Sequence, residues 1–134
     1  MTQNLDIVKR GYELFAAGDL DGVAALFADD AVMSGAGGLG IADTMGVRQG
    51  PEGMLTAMQE GLDAFDDFQV EIEDLADAGE CVIAVVRISG RGKASGIPQE
   101  QRLAHLWVLR NGKVIRGEVH RTRDEALVAA RAYK

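Results

Sequence analysis

His105 and Glu118 are the residues whose types and spacing first suggest chemistry. Asn111-Gly112 signals a two-residue hairpin turn, and pairing outward from it sets Arg110 opposite Lys113 and His105 opposite Glu118. A histidine beside a carboxylate can act as a general base, with the carboxylate orienting the ring. On that register both share a face with Trp107, Arg116 and His120. The same pair also reads as a polar cross-strand contact on an outer sheet face, available to a dimer interface. Both readings stay open.

Four other residues invite a role. Tyr12 can donate a hydrogen bond into a pocket, or serve as core on a helical apolar stripe. Arg87 stands on an otherwise apolar strand and needs a partner if buried. Arg102 can hold a carboxylate or enolate oxygen, or pair with Glu100 or solvent. Asp43 lies in a glycine-rich stretch and can swing over a pocket or stay solvated. Cys81, His105 and His120 do not fall at metal-ligand spacing, so neither metal nor cofactor is expected. No elbow motif marks a serine or cysteine nucleophile. Gly35-Ala36-Gly37-Gly38-Leu39-Gly40 lacks the Gly-Lys-Ser/Thr of a phosphate cradle and has no βαβ pattern around it.

The elements that must position these groups follow from periodicity. Leu5, Val8, Tyr12 and Phe15 recur at helical spacing and predict an amphipathic helix over 4–17. Gly18 suits its C-terminal cap, and Asp19 suits the N-cap of a second helix over 20–28. A short strand follows at 31–33. Residues 34–50 are glycine-rich and read as a surface loop or a pocket rim. Pro51 opens a helix carrying Met54, Leu55, Met58, Leu62 and Phe65.

From Asp67 the period becomes two, with Phe68, Val70 and Ile72 alternating with polar residues. Strands over 81–91, 98–110 and 113–121 complete a meander. Thr122-Arg123-Asp124-Glu125 forms a capping box, so a short final helix carries Leu127, Ala130 and Tyr133. The order predicts an α+β fold, with helices packed on one face of an antiparallel sheet. A single domain over 1–134 accommodates it.

Bulk properties restrict the partners. A net charge of −7 opposes binding to nucleic acid and to anionic membrane surfaces. No apolar run reaches the roughly 20 residues of a membrane helix. Residues 1–10 show no signal-peptide pattern. Cys81 is the only cysteine, which favours a cytoplasmic setting.

The pattern resembles the SnoaL-like branch of the nuclear transport factor 2-like superfamily, which includes ketosteroid isomerases and polyketide cyclases. The resemblance rests on Tyr12 to Val32 and on Ala104-His105-Leu106-Trp107-Val108-Leu109-Arg110-Asn111-Gly112-Lys113-Val114-Ile115. It implies a cone-shaped curved sheet around N-terminal helices, an apolar pocket for a bulky, small hydrophobic molecule, and a homodimer. It makes Arg102, Ala104, Leu106 and Val108, with Ile115, Gly117 and Val119, the pocket-facing set. Gly117 then leaves room for a ligand or marks a bulge.

The ketosteroid isomerase roles of tyrosine, base and oxyanion-hole acid fall on Gly11, Gly35 and Ala104, all unable to fill them. The arginine of the limonene epoxide hydrolase pattern matches Arg87, but its aspartate partner falls on Ser89. The final-strand acid falls near Val119, with Glu118 one residue away and on the opposite face. The expectation is therefore a pocket protein in which an isomerase, cyclase or hydrolase step would depend on Tyr12, Arg87, Arg102 or the His105–Glu118 pair. The alternative is a non-catalytic binding or dimerisation module.

Overall fold

A computed structural model of the chain describes residues 3–34 and 47–133. Gly35 and Asp43 lie outside the described residues, as do residues 35–46 of the predicted loop or rim. Helix α1 (Gln3–Ala16) ends where Gly18, at φ 82°, turns the chain. The amide of Asp19 reaches Leu14 O at 2.9 Å and that of Gly18 reaches Phe15 O at 3.0 Å, the paired bonds of a glycine-closed helix end. Asp19 then caps α2 (Leu20–Ala24) by accepting from Gly22 N at 2.9 Å. This second helix is shorter than its apolar stripe suggests, because strand β1 (Phe27–Ser34) already begins at Phe27.

A short strand β2 (Val47–Gln49) leads into α3 (Gly50–Ala64), with Pro51 in its first turn. Strands β3 (Phe65–Ala78), β4 (Cys81–Gly92), β5 (Pro98–Arg110) and β6 (Lys113–His120) follow, then α4 (Arg123–Ala130) and a 3-10 turn over Arg131–Tyr133. The sheet order is β2-β1-β6-β5-β4-β3. Its pairings are antiparallel except β1 with β6, which is parallel. The predicted antiparallel meander is therefore extended into a mixed sheet, and register shifts in β1, β3 and β6 bend it.

The two sheet faces bury different partners. On the inner face, Val82, Leu109, Val114 and Met33 pack with Val8, Val23 and Met58 of the three earlier helices. Ala84, Val86, Ile88 and Leu103 extend that layer toward Tyr12 and Phe68. On the outer face, Cys81, Ile83, Ala104, Leu106 and Val108 pack under Ala126 and Ala130 of α4. Thr122 caps that helix, accepting from Glu125 N at 3.1 Å. Leu127 of α4 is exposed, because the helix rests on its alanines.

Asn111 (φ 54°) and Gly112 (φ 78°) form the predicted two-residue turn. Arg110 faces Lys113 and Leu109 faces Val114, but Val108 then faces Arg116. Ile115 is the extra residue of a bulge. Every pair beyond it is displaced by one, so His105 lies opposite Val119 and Glu118 opposite Leu106. The predicted His105–Glu118 pairing does not form.

Candidate functional site

Between the inner sheet face and helices α1 and α3 lies a cavity of about 180 Å³. Phe15, Met33, Met54, Met58, Phe68, Leu103 and Ile88 give it an apolar lining. Tyr12, His105 and Trp107 supply a polar patch in the wall. Tyr12, Met54 and Trp107 also border a smaller hollow of about 60 Å³ that reaches Gly11. A wider depression of about 540 Å³ beside Gly18–Asp21 and α3 is open to solvent and carries the exposed Asp19 and Asp21. It lacks the enclosure that holds a small molecule.

The polar patch is assembled from distant parts of the chain. Trp107 Nε1 donates to Tyr12 Oη at 2.9 Å, and Tyr12 Oη lies 2.6 Å from His105 Nδ1. The Tyr12 and His105 rings are nearly parallel, 8° apart in plane with centroids 6.0 Å apart. Trp107 meets both rings edge-on. Burial holds the His105 imidazole down at about 4. Burial also pushes the Tyr12 hydroxyl up, outweighing the opposing hydrogen bond from Trp107. Both side chains are therefore neutral near pH 7.

Parity places the sequence candidates differently from the expectation. On β5 the cavity-facing residues are Leu103, His105 and Trp107, while Ala104, Leu106 and Val108 belong to the outer layer beneath α4. On β6, Gly117 and Val119 border the cavity and Ile115 packs on the outer face. The space left by Gly117 is filled by Trp107, whose Cζ3 would lie 2.5 Å from a β-carbon at position 117.

Glu118 borders the cavity from β6, but its carboxylate is held on the outer face. It accepts from Arg116 Nε at 2.7 Å and from Tyr133 Oη, and pairs with His120 Nε2 at 2.8 Å. Burial raises its pKa, but the hydrogen bonds from Tyr133, Arg116 and His120 outweigh that and hold it below the ordinary carboxylate value.

Arg87 and Arg102 face each other across β4 and β5, away from the cavity. Arg87 pairs with Glu71 at 2.8 Å and Glu100 at 3.8 Å. Arg102 pairs with Glu73 at 2.6 Å instead of Glu100. Among the described residues, no group of three or more His, Cys, Asp or Glu could hold a metal ion. No helix among them is long and apolar enough to cross a membrane.

Trp107 and Leu103 line the cavity although the expected pocket-facing set does not include them. A usable signal existed for Trp107: a large ring needs a small cross-strand neighbour, and Gly117 is the glycine of β6.

This curved sheet, wrapped on helices around an apolar hollow, is the nuclear transport factor 2/ketosteroid isomerase-like fold. The SnoaL-like domain family matches residues 8–117, and the chain belongs to that family. An NTF2-like protein from Burkholderia thailandensis is similar at a TM-score of 0.81 with 24% identity, covering 100% of this chain and 99% of that one. An NTF2-like protein of unknown function from Burkholderia pseudomallei gives a TM-score of 0.79 with 20% identity, over 98% and 97%. TerC, co-crystallised with polyporic acid, gives 0.77 with 18% identity, over 98% and 97%. These likenesses establish the fold. No curated protein matches the chain.

Proposed function

We propose that the protein binds a small, mostly apolar molecule in the cavity between the sheet and helices α1 and α3. The observation that carries this reading is the Tyr12–His105–Trp107 group, set in a mostly apolar wall. Ligand pockets commonly combine a hydrophobic lining with a few placed polar groups. The cavity volume of about 180 Å³ narrows the expected bulky ligand to a compact one. A dry apolar cavity of about 150 Å³ admits benzene, so a molecule of roughly one to two rings fits.

Trp107 is the only tryptophan and borders the cavity, so its fluorescence reports on occupancy. Titration with one- and two-ring compounds should change Trp107 emission and raise the unfolding temperature, since binding to the native state stabilises it. A panel that moves neither signal overturns the reading.

An isomerase, cyclase or hydrolase step is the second reading, favoured by the His105 imidazole bordering the cavity. Mass spectrometry separates the two. A ligand recovered unchanged supports a binding protein, and a recovered product supports an enzyme. A homodimer belongs to the same proposal, its contact face being the part of the outer sheet around Arg87 and Arg102 that α4 leaves uncovered. Sedimentation of a monomer at high micromolar concentration would remove it.

A further inference from the structure

We propose that His105 presents its Nε2–H as a fixed hydrogen-bond donor, making the cavity selective for neutral molecules with a carbonyl-type acceptor. This rests on the cavity being a ligand site.

Trp107 has a single polar hydrogen and no acceptor, and it gives that hydrogen to Tyr12 Oη at 2.9 Å. The Tyr12 hydroxyl has one hydrogen of its own to place. His105 Nδ1, at 2.6 Å, is the acceptor that the described residues offer it. That distance suits a hydroxyl donor better than a ring N–H, whose bonds to oxygen centre near 2.9–3.0 Å. Were Nδ1 protonated, the ring would donate to Oη, and the tyrosine hydrogen would point into the apolar wall unpartnered. One arrangement satisfies all three groups. Trp107 donates to Tyr12, Tyr12 donates to Nδ1, and the neutral ring keeps its hydrogen on Nε2.

The remaining lining defines what that donor can meet. No lysine or arginine is among the described cavity-lining residues, so an anion would lose its water without gaining a counter-charge. The carboxylate of Glu118 is engaged on the outer face by Arg116, His120 and Tyr133. A hydrogen-bond-donating ligand therefore finds no carboxylate turned toward it among these residues, only the neutral Ser34 hydroxyl at the cavity border. A ketone, lactone or quinone oxygen is the matching group.

The test compares 1-indanone with indane, which share a ring skeleton and differ in the carbonyl. Trp107 fluorescence and calorimetry on the full chain should give indanone an affinity about tenfold higher, the worth of a satisfied buried donor. His105→Leu should bring the two affinities together. Indane-2-carboxylate should bind more weakly than either. Independently of any ligand, ¹⁵N-edited NMR of the wild-type imidazole at pH 7 should place the hydrogen on Nε2, with His120→Gln assigning the signals. Equal binding of indanone and indane overturns the donor assignment and leaves the cavity reading standing. Binding of neither removes both. A hydrogen on Nδ1 overturns the inference even if His105→Leu fails to fold.

Discussion

Trp107 and Gly117 lie directly opposite each other on β5 and β6, and the indole occupies the volume that a side chain at 117 would need. A β-carbon there would sit 2.5 Å from Cζ3 and 2.9 Å from Cε3 of Trp107, and 3.4 Å from Met33 Cγ. Gly117→Ala must therefore push the ring, which Tyr12 holds through its hydroxyl and Phe27 meets edge-on. Overpacking of this kind costs about 1–3 kcal/mol. Urea unfolding should show a lower midpoint with an unchanged slope, together with altered native Trp107 emission. An unchanged midpoint would mean that the ring moves freely and does not define the wall.

Removing the Tyr12 hydroxyl strands two groups at once. Tyr12→Phe leaves Trp107 Nε1–H and His105 Nδ1 without the partner that now serves both. The expected loss is about 1–3 kcal/mol, because an unsatisfied buried polar group costs more than a hydrogen bond contributes net. Combining it with His105→Leu removes one stranded group, so the double variant should lose less than the sum of the singles. A coupling within about 0.3–0.5 kcal/mol of zero would show that the three residues do not act as a network.

Most of the fold was legible because local signals agreed with one another. The helix closure at Gly18, the cap at Asp19, the Asn111-Gly112 turn and the Thr122–Glu125 box all form as their residue types dictate. The cavity wall was harder to read for a physical reason. Strand β5 is buried on both faces, Leu103 and Leu109 inward and Ala104, Leu106 and Val108 outward, so alternation alone does not say which set lines the hollow. A single bulged residue, Ile115, then exchanged the partners of the whole upper hairpin. The parallel pairing of β1 with β6 depends on contacts between chain ends and has no local signature. Tyr12 stands out on its helical stripe, but its bonds to His105 and Trp107 span more than ninety residues and follow from no spacing rule.

The state of His105 makes stability depend on pH in a defined window. Burial lowers its pKa from 6.5 to about 4. The groups facing it are Tyr12, itself neutral, and Trp107, which does not titrate. The folded protein thus binds fewer protons than the unfolded chain between about pH 6.5 and 4, and stability falls as pH falls through that range. The full shift corresponds to at most about 3 kcal/mol. His105 is only partly buried, so solvent screening reduces this figure. Urea unfolding at pH 7 and pH 5 should show a loss that His105→Leu abolishes. Equal pH slopes in the two proteins would mean that the imidazole is hydrated and titrates normally.

Glu118 acts on the other face, and through the opposite kind of group, a carboxylate that must stay charged. Its carboxylate joins β6 to the C-terminal turn through Tyr133, and Arg116 stacks over the Tyr133 ring at 5.8 Å. Behind that joint, α4 contributes little apolar area, resting on Ala126 and Ala130 while Val128 is 61% exposed. A helix of eight residues so lightly packed depends on its tether. Tyr133→Phe should therefore speed amide exchange across Arg123–Ala130 and cost about 1.5–3 kcal/mol, the range for a hydrogen bond to a charged group. Trp107 emission should not change, because the indole lies on the inner face. The pKa of Glu118 is held below its ordinary 4.5, so this contribution is present above pH 4.5 and is lost as pH falls below it. Protection of the α4 amides, relative to their intrinsic exchange rates, should accordingly hold above pH 4.5 and fall below it. Acceleration already at pH 5.5 in the wild type would place the tether elsewhere than in this carboxylate.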